Sequence, residues 1–277
     1  MNGTLYVVAT PIGNLEDMTY RAVRVLQEVA LIAAEDTRHS RKLLTHYSIN
    51  TSLISYHEHN EEFRSAQLIA KLQNGESIAL ISDAGTPCIA DPGYRLVFCC
   101  RQEGIPVIAV PGPSALVAAL SISGLPTDAF RFVGFLPAKK HGRCQFLEQI
   151  KNVQQTVACY EAPHRLLSSL ADIIEICGAD RPIAIARELT KRHEELFSGT
   201  AGAALEYFAQ GSVKGELVIL LGSALQRQPE GTVRDALLRL REETDLSWKE
   251  IVKLVAKEFG QSGSVVYKES LELRQEQ

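Results

Sequence analysis

Short apolar runs alternate along the first half of the chain with stretches whose apolar residues recur every three or four positions. The runs LYVVA (Leu5–Ala9), LIAAE (Leu31–Glu35), SLISY (Ser52–Tyr56), SIALI (Ser77–Ile81) and PVIAV (Pro106–Val110) predict strands. Between them, NEEFRSAQLIAKLQNG predicts a helix. Asn60 opens it, Phe63, Ala66, Ile69, Ala70 and Leu72 lie along its apolar side, and Gly75 stops it. Strand–helix alternation of this kind predicts an α/β fold with a mostly parallel sheet covered on both faces.

A second pattern of the same type follows. FRFVGFL (Phe130–Leu136), TVACYEA (Thr156–Ala162), PIAIARELT (Pro182–Thr190), EELFSGT (Glu194–Thr200) and ELVILLG (Glu216–Gly222) predict strands. Helices are predicted over Arg143–Lys151, Arg165–Cys177 and Ala201–Gln210. EELFSGT follows ARELT so closely that an antiparallel hairpin is expected there. The expected division is one α/β domain over 1–120 and a second over 121–224, with the boundary near Ser121–Ala129. Ser223–Thr232 reads as a linker, and 231–277 as a small module of three helical segments. Helix, turn, helix and a third segment fit a helix-turn-helix module. They also fit, and somewhat better, an amphipathic bundle that packs on the main body or on a second subunit.

Composition narrows the class. The 277 residues are 45% hydrophobic and 22% charged, which is ordinary for a soluble globular protein with ample core. A net charge of -4 excludes a protein that coats phosphate with its whole surface, so any nucleic acid must meet a local basic patch. No apolar run approaches the roughly 20 residues that span a bilayer. The opening MNGTLYVVATPIGN lacks the basic and apolar regions of a secretory signal. Six cysteines without a C-x-x-C pair read as buried free thiols. A cytoplasmic protein without membrane association and without a zinc site is expected.

The candidate chemistry lies in three Gly/Pro loops that leave strand ends: ATPIGN, DAGTPCIADPG and PGPSAL. In open α/β sheets, ligands bind beyond the carboxyl ends of the strands. Gly13, Gly85 and Gly112 permit close backbone approach, while Ser114 either caps the next helix or presents its hydroxyl. No G-x-G-x-x-G or G-x-x-x-x-G-K-[ST] phosphate cradle occurs. GPSAL lacks the last glycine of the G-x-S-x-G elbow, which disfavours a serine hydrolase.

Taken together in order, TPIGNLEDMTYRA, AAEDTRHSRKLL, LISDAGTPCIADPGYRL, VPGPSA and FVGFLP resemble the ribosomal RNA small subunit methyltransferase I family. These are ribose 2′-O-methyltransferases of the tetrapyrrole methylase superfamily. The resemblance spans nearly the whole chain. It implies two α/β domains with S-adenosylmethionine in the cleft between them, a small C-terminal helical module, a homodimer, and a cytidine of 16S ribosomal RNA in the small subunit as substrate.

Segment by segment, the resemblance implies cofactor contacts at Pro11, at Ala84, Gly85, Thr86, Pro87 and Ile89, at Ser114 and Ala115, and at Tyr160 and Leu189. Thr86 stands where tetrapyrrole methylases usually carry Asp, so backbone rather than side chain is expected to touch the ligand there. Asp83 or Asp91 either adds negative charge near the sulfonium or caps a turn.

Methyl transfer to a hydroxyl is an in-line displacement that gains from orientation and from a positioned base. Glu35 and Asp36 are the candidate catalytic carboxylates; the other reading makes Asp36 a helix cap beside a solvated basic face. Arg38 beside them, Lys139, Lys140 and Arg143 in LPAKKHGR, and Arg165 in YEAPHR are the candidate RNA contacts. Arg165 has an alternative partner in Glu161. The HEHNEE run around His57 reads as a polar strand end rather than a metal site. Two other functions fit less of the sequence: a tetrapyrrole-type small-molecule methylase and a nucleic-acid-binding regulator.

Overall fold

The computed structural model describes residues 2–224 and 231–275. The chain divides into two compact units, Met1–Ala224 and Leu225–Gln277. Most of the linker expected over Ser223–Thr232 falls on residues 225–230, outside the described residues.

The first unit begins with β1 (Leu5–Val8), α1 (Tyr20–Glu28), β2 (Leu31–Ala34), α2 (Thr37–His46), β3 (Leu53–Ser55), α3 (Glu61–Gln73), β4 (Ile78–Ile81), α4 (Tyr94–Gln102) and β5 (Val107–Val110). The five strands form one sheet in the order β3-β2-β4-β1-β5, and every pairing is parallel. All four residues of β4 are buried, as expected of an apolar strand covered on both faces. The period-two alternation separates two cores. Val8, Ile32, Ala34, Ala79 and Ile81 pack with Ala22, Val25 and Leu26 of α1. Leu5, Ala33, Ile78 and Leu80 pack with Leu68, Leu72, Leu96 and Cys100 of α3 and α4.

Helix α3 differs from its predicted face. Ser65, Leu68 and Leu72 are buried, whereas Phe63 is 66% exposed. Ser65 turns inward because its hydroxyl pairs with the Tyr56 hydroxyl at 3.1 Å. A polar residue therefore takes a core position that apolar periodicity assigns elsewhere.

The unit continues with α5 (Ala115–Ile122), β6 (Phe130–Phe135), α6 (Lys140–Ile150), β7 (Thr156–Glu161), α7 (Leu166–Cys177), β8 (Pro182–Arg187), β9 (Glu195–Thr200), α8 (Ala201–Ala209) and β10 (Leu217–Leu221). These strands form a mixed sheet in the order β6-β7-β10-β8-β9. Only β6 and β7 are parallel; β10 and β9 run antiparallel to their neighbours. The antiparallel β8–β9 pair is present, with Arg187 opposite Glu195. Strand β8 ends at Arg187 rather than Thr190 because Glu188 and Thr190 adopt φ of 51° and 63°.

One face of this sheet carries α6, α7 and α8 on Leu147, Leu170, Ile185 and Ile219. The other face is lined by Ala158, Ala184 and Ala186, small enough for α5 to approach through Leu116, Ala119 and Leu120. A helix that leaves the first sheet thus packs on the second.

Helix α6 begins at Lys140, three residues before the expected start, and this overturns one candidate RNA contact. Arg143 becomes a first-turn residue on the buried face with Leu147 and Ile150. It is 4% exposed, and its Nε donates to Asp172 Oδ2 at 2.7 Å. Its Nη1 donates to the Ala138 carbonyl at 3.3 Å. Arg143 holds the helix pair α6–α7 and is not available to a substrate.

The second unit contains α9 (Val233–Glu243), α10 (Trp248–Glu258) and α11 (Gly263–Gln275). Capping boxes at Thr232/Asp235 and Ser247/Glu250 start the first two helices. Leu237, Ile251, Val255, Val266 and Leu273 form its own core. The guanidinium groups of Arg241 and Arg274 lie 5.8 and 4.8 Å from the Trp248 ring centre.

The Arg143–Asp172 pair yields a stability test. Arg143→Ala leaves Asp172 buried with only a distant Lys140 at 3.5 Å. Urea unfolding is expected to show a loss of about 3–5 kcal/mol, the range for breaking a buried pair from one side. A loss below about 1 kcal/mol would be that of a surface pair and would contradict this role.

Candidate active site

The loops after β1, β4 and β5 are tied into one surface. Thr10 and Gly85 exchange backbone hydrogen bonds of 2.9 and 3.0 Å, and the Thr10 hydroxyl donates to the Ser82 carbonyl at 3.2 Å. The Thr86 hydroxyl donates to the Pro113 carbonyl at 3.2 Å. Thr86 therefore uses its side chain to join two loops. Ser114 precedes α5 but makes no side-chain cap bond, so its hydroxyl remains free for the cleft.

Left-handed backbone clusters here. Gly85 has φ of 82°, Cys88 70°, Ala90 65° and Gly93 137°. Glu188 and Thr190, on either side of Leu189, are the matching pair in the second half. Non-glycine residues in this region store strain of about 1–3 kcal/mol each, and such strain gathers at ligand sites.

The two sets of loops enclose a cavity of about 350 Å³, within the range of small-molecule sites. Of the ten expected cofactor residues, Ala84, Gly85, Thr86, Ile89, Ser114, Ala115, Tyr160 and Leu189 line it. Pro11 and Pro87 do not. Pro87 is buried behind the loop, and Ile12 takes the wall position next to Pro11. Tyr160 meets Phe132 and Phe135 edge-on, with ring centres 5.0 and 5.5 Å apart. Sequence reasoning missed Phe135, the Glu161–Pro163 turn and the Gly215–Val218 segment that leads into β10, and it named Asp91 only as a counter-charge or a turn cap. Phe135 stood inside a quoted motif; the β10 segment carries no local signal.

The candidate catalytic carboxylates lie outside the cavity wall. Asp36 caps α2, accepting from the Arg38 amide at 2.8 Å, and pairs with the Arg38 side chain at 3.3 Å. The Arg38 hydrogen bonds hold its carboxyl below the usual value. Asp36 is therefore a helix cap, and the catalytic expectation for it is corrected. Glu35 accepts from the Asp83 amide at 3.4 Å, and Asp83 accepts from the Asp36 amide at 3.0 Å. Burial pushes Glu35 above its ordinary range.

Three carboxylates do line the cavity: Asp91, Glu161 and Glu216. Glu161 accepts from the Ala162 amide at 2.8 Å and the Ser169 hydroxyl at 2.5 Å, and pairs with Arg165. Glu216 pairs with Lys191 at 3.1 Å. Burial, reinforced by Glu35 and Asp83, pushes Asp91 up to about 6.

The candidate RNA contacts divide. Arg165 is committed to the buried Glu161. Lys140 sits within 3.5 Å of Asp172 and Glu175 but is 68% exposed. Lys139 is exposed, and the Arg38 side chain is 90% exposed despite its pair with Asp36. Among the described residues no cluster of His, Cys, Asp and Glu is arranged to hold a metal, and no helix is long and apolar enough to cross a membrane.

A parallel sheet and a mixed sheet closing on one loop-lined cavity define a tetrapyrrole-methylase fold, and the family model for tetrapyrrole (corrin/porphyrin) methylases matches residues 4–205. A crystal structure of uroporphyrin-III C-methyltransferase from Thermus thermophilus, complexed with S-adenyl homocysteine, shares this fold with a TM-score of 0.54. It is 20% identical, over 81% of this chain and 99% of that one. Closer in sequence is ribosomal RNA small subunit methyltransferase I of Synechocystis sp., 48% identical over 275 residues and 98% of each chain. The protein of the same name from Halalkalibacterium halodurans is 51% identical over 229 residues, 82% of this chain and 79% of that one. The chain belongs to the ribosomal RNA small subunit methyltransferase I family of tetrapyrrole methylases.

Asp91 also yields a stability test. Its folded value of about 6 lies above the ordinary 3.8. The fold therefore favours the protonated acid. No penalty exists below the unfolded value, and the full penalty is present once pH has risen past the folded one. Asp91→Asn is expected to stabilise the protein by about 1–2 kcal/mol at pH 8, discounting for its partial exposure, and hardly at all at pH 4. Urea unfolding at the two pH values checks this; equal effects at both would contradict it.

Proposed function

We propose that this chain transfers a methyl group from S-adenosylmethionine to the ribose 2′-hydroxyl of a cytidine in 16S ribosomal RNA of the small subunit. The observation that carries the reading is the cavity itself, a mostly apolar chamber lined by residues of three strand-end loops and of the second sheet. S-adenosylmethionine supplies an electrophilic methyl group on a cationic sulfur. A ligand of that size fits a chamber of about 350 Å³. Main chain at Ala84, Gly85 and Thr86, with Ser114 and Ala115, would hold it from the first half, while Tyr160 and Leu189 would close over it. Gly85 lines this wall at φ of 82°, a backbone conformation that side chains rarely adopt.

The relatives' names supply the small-subunit RNA, and the sequence resemblance supplies the ribose hydroxyl and the cytidine. Exposed Arg38, Lys139 and Lys140 are the cations we assign to the RNA backbone. Domains over 1–120 and 121–224, with a small helical module over 231–277, complete this reading. A homodimer is part of it as well. Strand β5 is a sheet edge, and Ile108 on it and Val117 and Ile122 on α5 are 38%, 59% and 45% exposed, apolar side chains that a second copy would cover. A ribosomal substrate places the enzyme in the cytoplasm.

The test is transfer of labelled methyl from S-adenosylmethionine to small subunits from a strain lacking this protein, with mapping of the modified nucleotide. A 2′-O-methylcytidine in 16S RNA is expected. Label on a tetrapyrrole but not on subunits would overturn the reading. Gly85→Val tests the cavity independently. A β-branched residue forced to φ of 82° strains the bridge to Thr10, and calorimetry is expected to record at least about tenfold weaker cofactor binding with cooperative unfolding retained. Unchanged affinity would remove this loop from the site.

A further inference from the structure

We propose that Asp91 is the general base of this reaction, its carboxylate taking the proton of the ribose hydroxyl as the oxygen attacks. The inference rests on the function proposed above and adds a residue that the sequence assigned only to a counter-charge or a turn.

The argument is one of availability. Of the three carboxylates in the cavity wall, Glu161 is held by Arg165, the Ser169 hydroxyl and the Ala162 amide. Glu216 is held by Lys191. Asp91 forms no ion pair among the described residues; it has a hydrogen bond from the Ser82 side chain, and each charged group acting on it is another carboxylate, Glu35 or Asp83. Glu35 and Asp36, the earlier candidates, lie outside the cavity wall.

The backbone aims this side chain. Ala90 immediately before it and Cys88 two residues further back are left-handed, and Gly93 two residues after it has φ of 137°. The space above Gly93 is filled by Cys88 Sγ and Leu80 Cδ2, each under 3 Å from where a Cβ would stand. The turn that carries Asp91 is thus over-determined, as a positioned catalytic group requires.

The surroundings tune it. Glu35 from the end of β2, Asp83 and the Ser82 hydroxyl after β4, the Cys88 thiol of its own loop and the Tyr160 hydroxyl of β7 face it. None is a cation. A carboxylate with a value of about 6 is ionised at neutral pH yet is a much better proton acceptor than an ordinary Asp. In the step, the oxygen–carbon bond forms as the sulfur–carbon bond breaks. The bonding pair leaves with sulfur, which becomes a neutral thioether. The hydroxyl proton passes to an Asp91 oxygen and then to water.

The experiment compares wild type with Asp91→Asn in single-turnover methyl transfer to unmethylated small subunits between pH 5 and 9. Calorimetry measures S-adenosylmethionine and S-adenosylhomocysteine binding, and carbon NMR follows the Asp91 carboxyl in ligand-free protein. The wild-type rate should fall as pH drops through about 6, because the base acts unprotonated. Asp91→Asn should slow transfer by about 10²–10⁴-fold and abolish that limb, with cofactor affinity changed less than about threefold. The NMR titration should give a value well above that of an ordinary Asp.

Transfer by the variant at the wild-type rate overturns the proposal, as does an ordinary NMR value. Selective loss of S-adenosylmethionine over S-adenosylhomocysteine affinity also overturns it, because Asp91 is then a counter-charge to the sulfonium. A wild-type protein that labels no subunits sinks the activity itself, whereas an active wild type beside an equally active variant sinks only this assignment.

Discussion

The reciprocal hydrogen bonds between Thr10 and Gly85 set the geometry on which the cavity depends. Strands β1 and β4 are parallel neighbours, so their loops leave the same edge side by side. Bridging those loops in antiparallel fashion requires Gly85 to turn left-handed, at φ of 82°. The next residue is then tied to the loop after β5 through the Thr86 hydroxyl. With three loops fixed to one another, Ala84, Gly85 and Thr86 line the cavity and Pro87 is buried outside its wall. The left-handed Cys88 and Ala90 persist because both ends of their loop are anchored, in buried β4 and in α4. Strain of this kind survives only where the surroundings over-determine the backbone.

The second half closes the cavity by a different device. Its sheet presents alanines at 158, 184 and 186 to helix α5, which leaves β5 of the first sheet. Small side chains allow the close approach, so α5 and Ile12 share a core with the second sheet. Across the cleft, the Glu188–Glu194 turn reaches back to the first loop. Lys191 covers Gly13 so closely that a Cβ there would stand 2.4 Å from Lys191 Cγ. The same lysine holds Glu188 at 2.8 Å and Glu216 at 3.1 Å. One cation thereby braces the rim and neutralises a carboxylate of the cavity wall.

The strands and the Gly/Pro loops were legible in the sequence because they are local. Apolar runs bounded by turn residues mark strands whatever surrounds them, and all ten expected strands are present. The loop residues that form the cavity floor were likewise readable. Side-chain partnerships were not. Arg143 sits in a basic run that looks solvated, yet the helix starts three residues early and turns it toward Asp172, 29 residues away. Ser65 occupies a core position because of a tyrosine hydroxyl on another element. The β10 residues on the cavity wall belong to an ordinary apolar strand whose placement only the mixed strand order determines.

The carboxylates make the same point in electrostatic terms. Glu35, Asp36, Asp83, Asp91, Glu161 and Glu216 are equivalent letters in the sequence, and each has a different task in the fold. Asp36 satisfies a helix N-terminus, where the amides and dipole favour its charge. Glu161 is buried but fully hydrogen-bonded, so it anchors the turn at the end of β7 and locks Arg165. Glu216 is neutralised at the rim by Lys191. Asp91 alone among the cavity's three has no cation beside it; burial and the neighbouring Glu35 and Asp83 outweigh its hydrogen bond from Ser82, an arrangement that works against folding at neutral pH. An Asn at that position would relieve the repulsion with nearly the same shape. Retaining the acid beside two others fits a group whose proton affinity matters, because destabilising electrostatics concentrated in a cleft are the mark of a group tuned for chemistry.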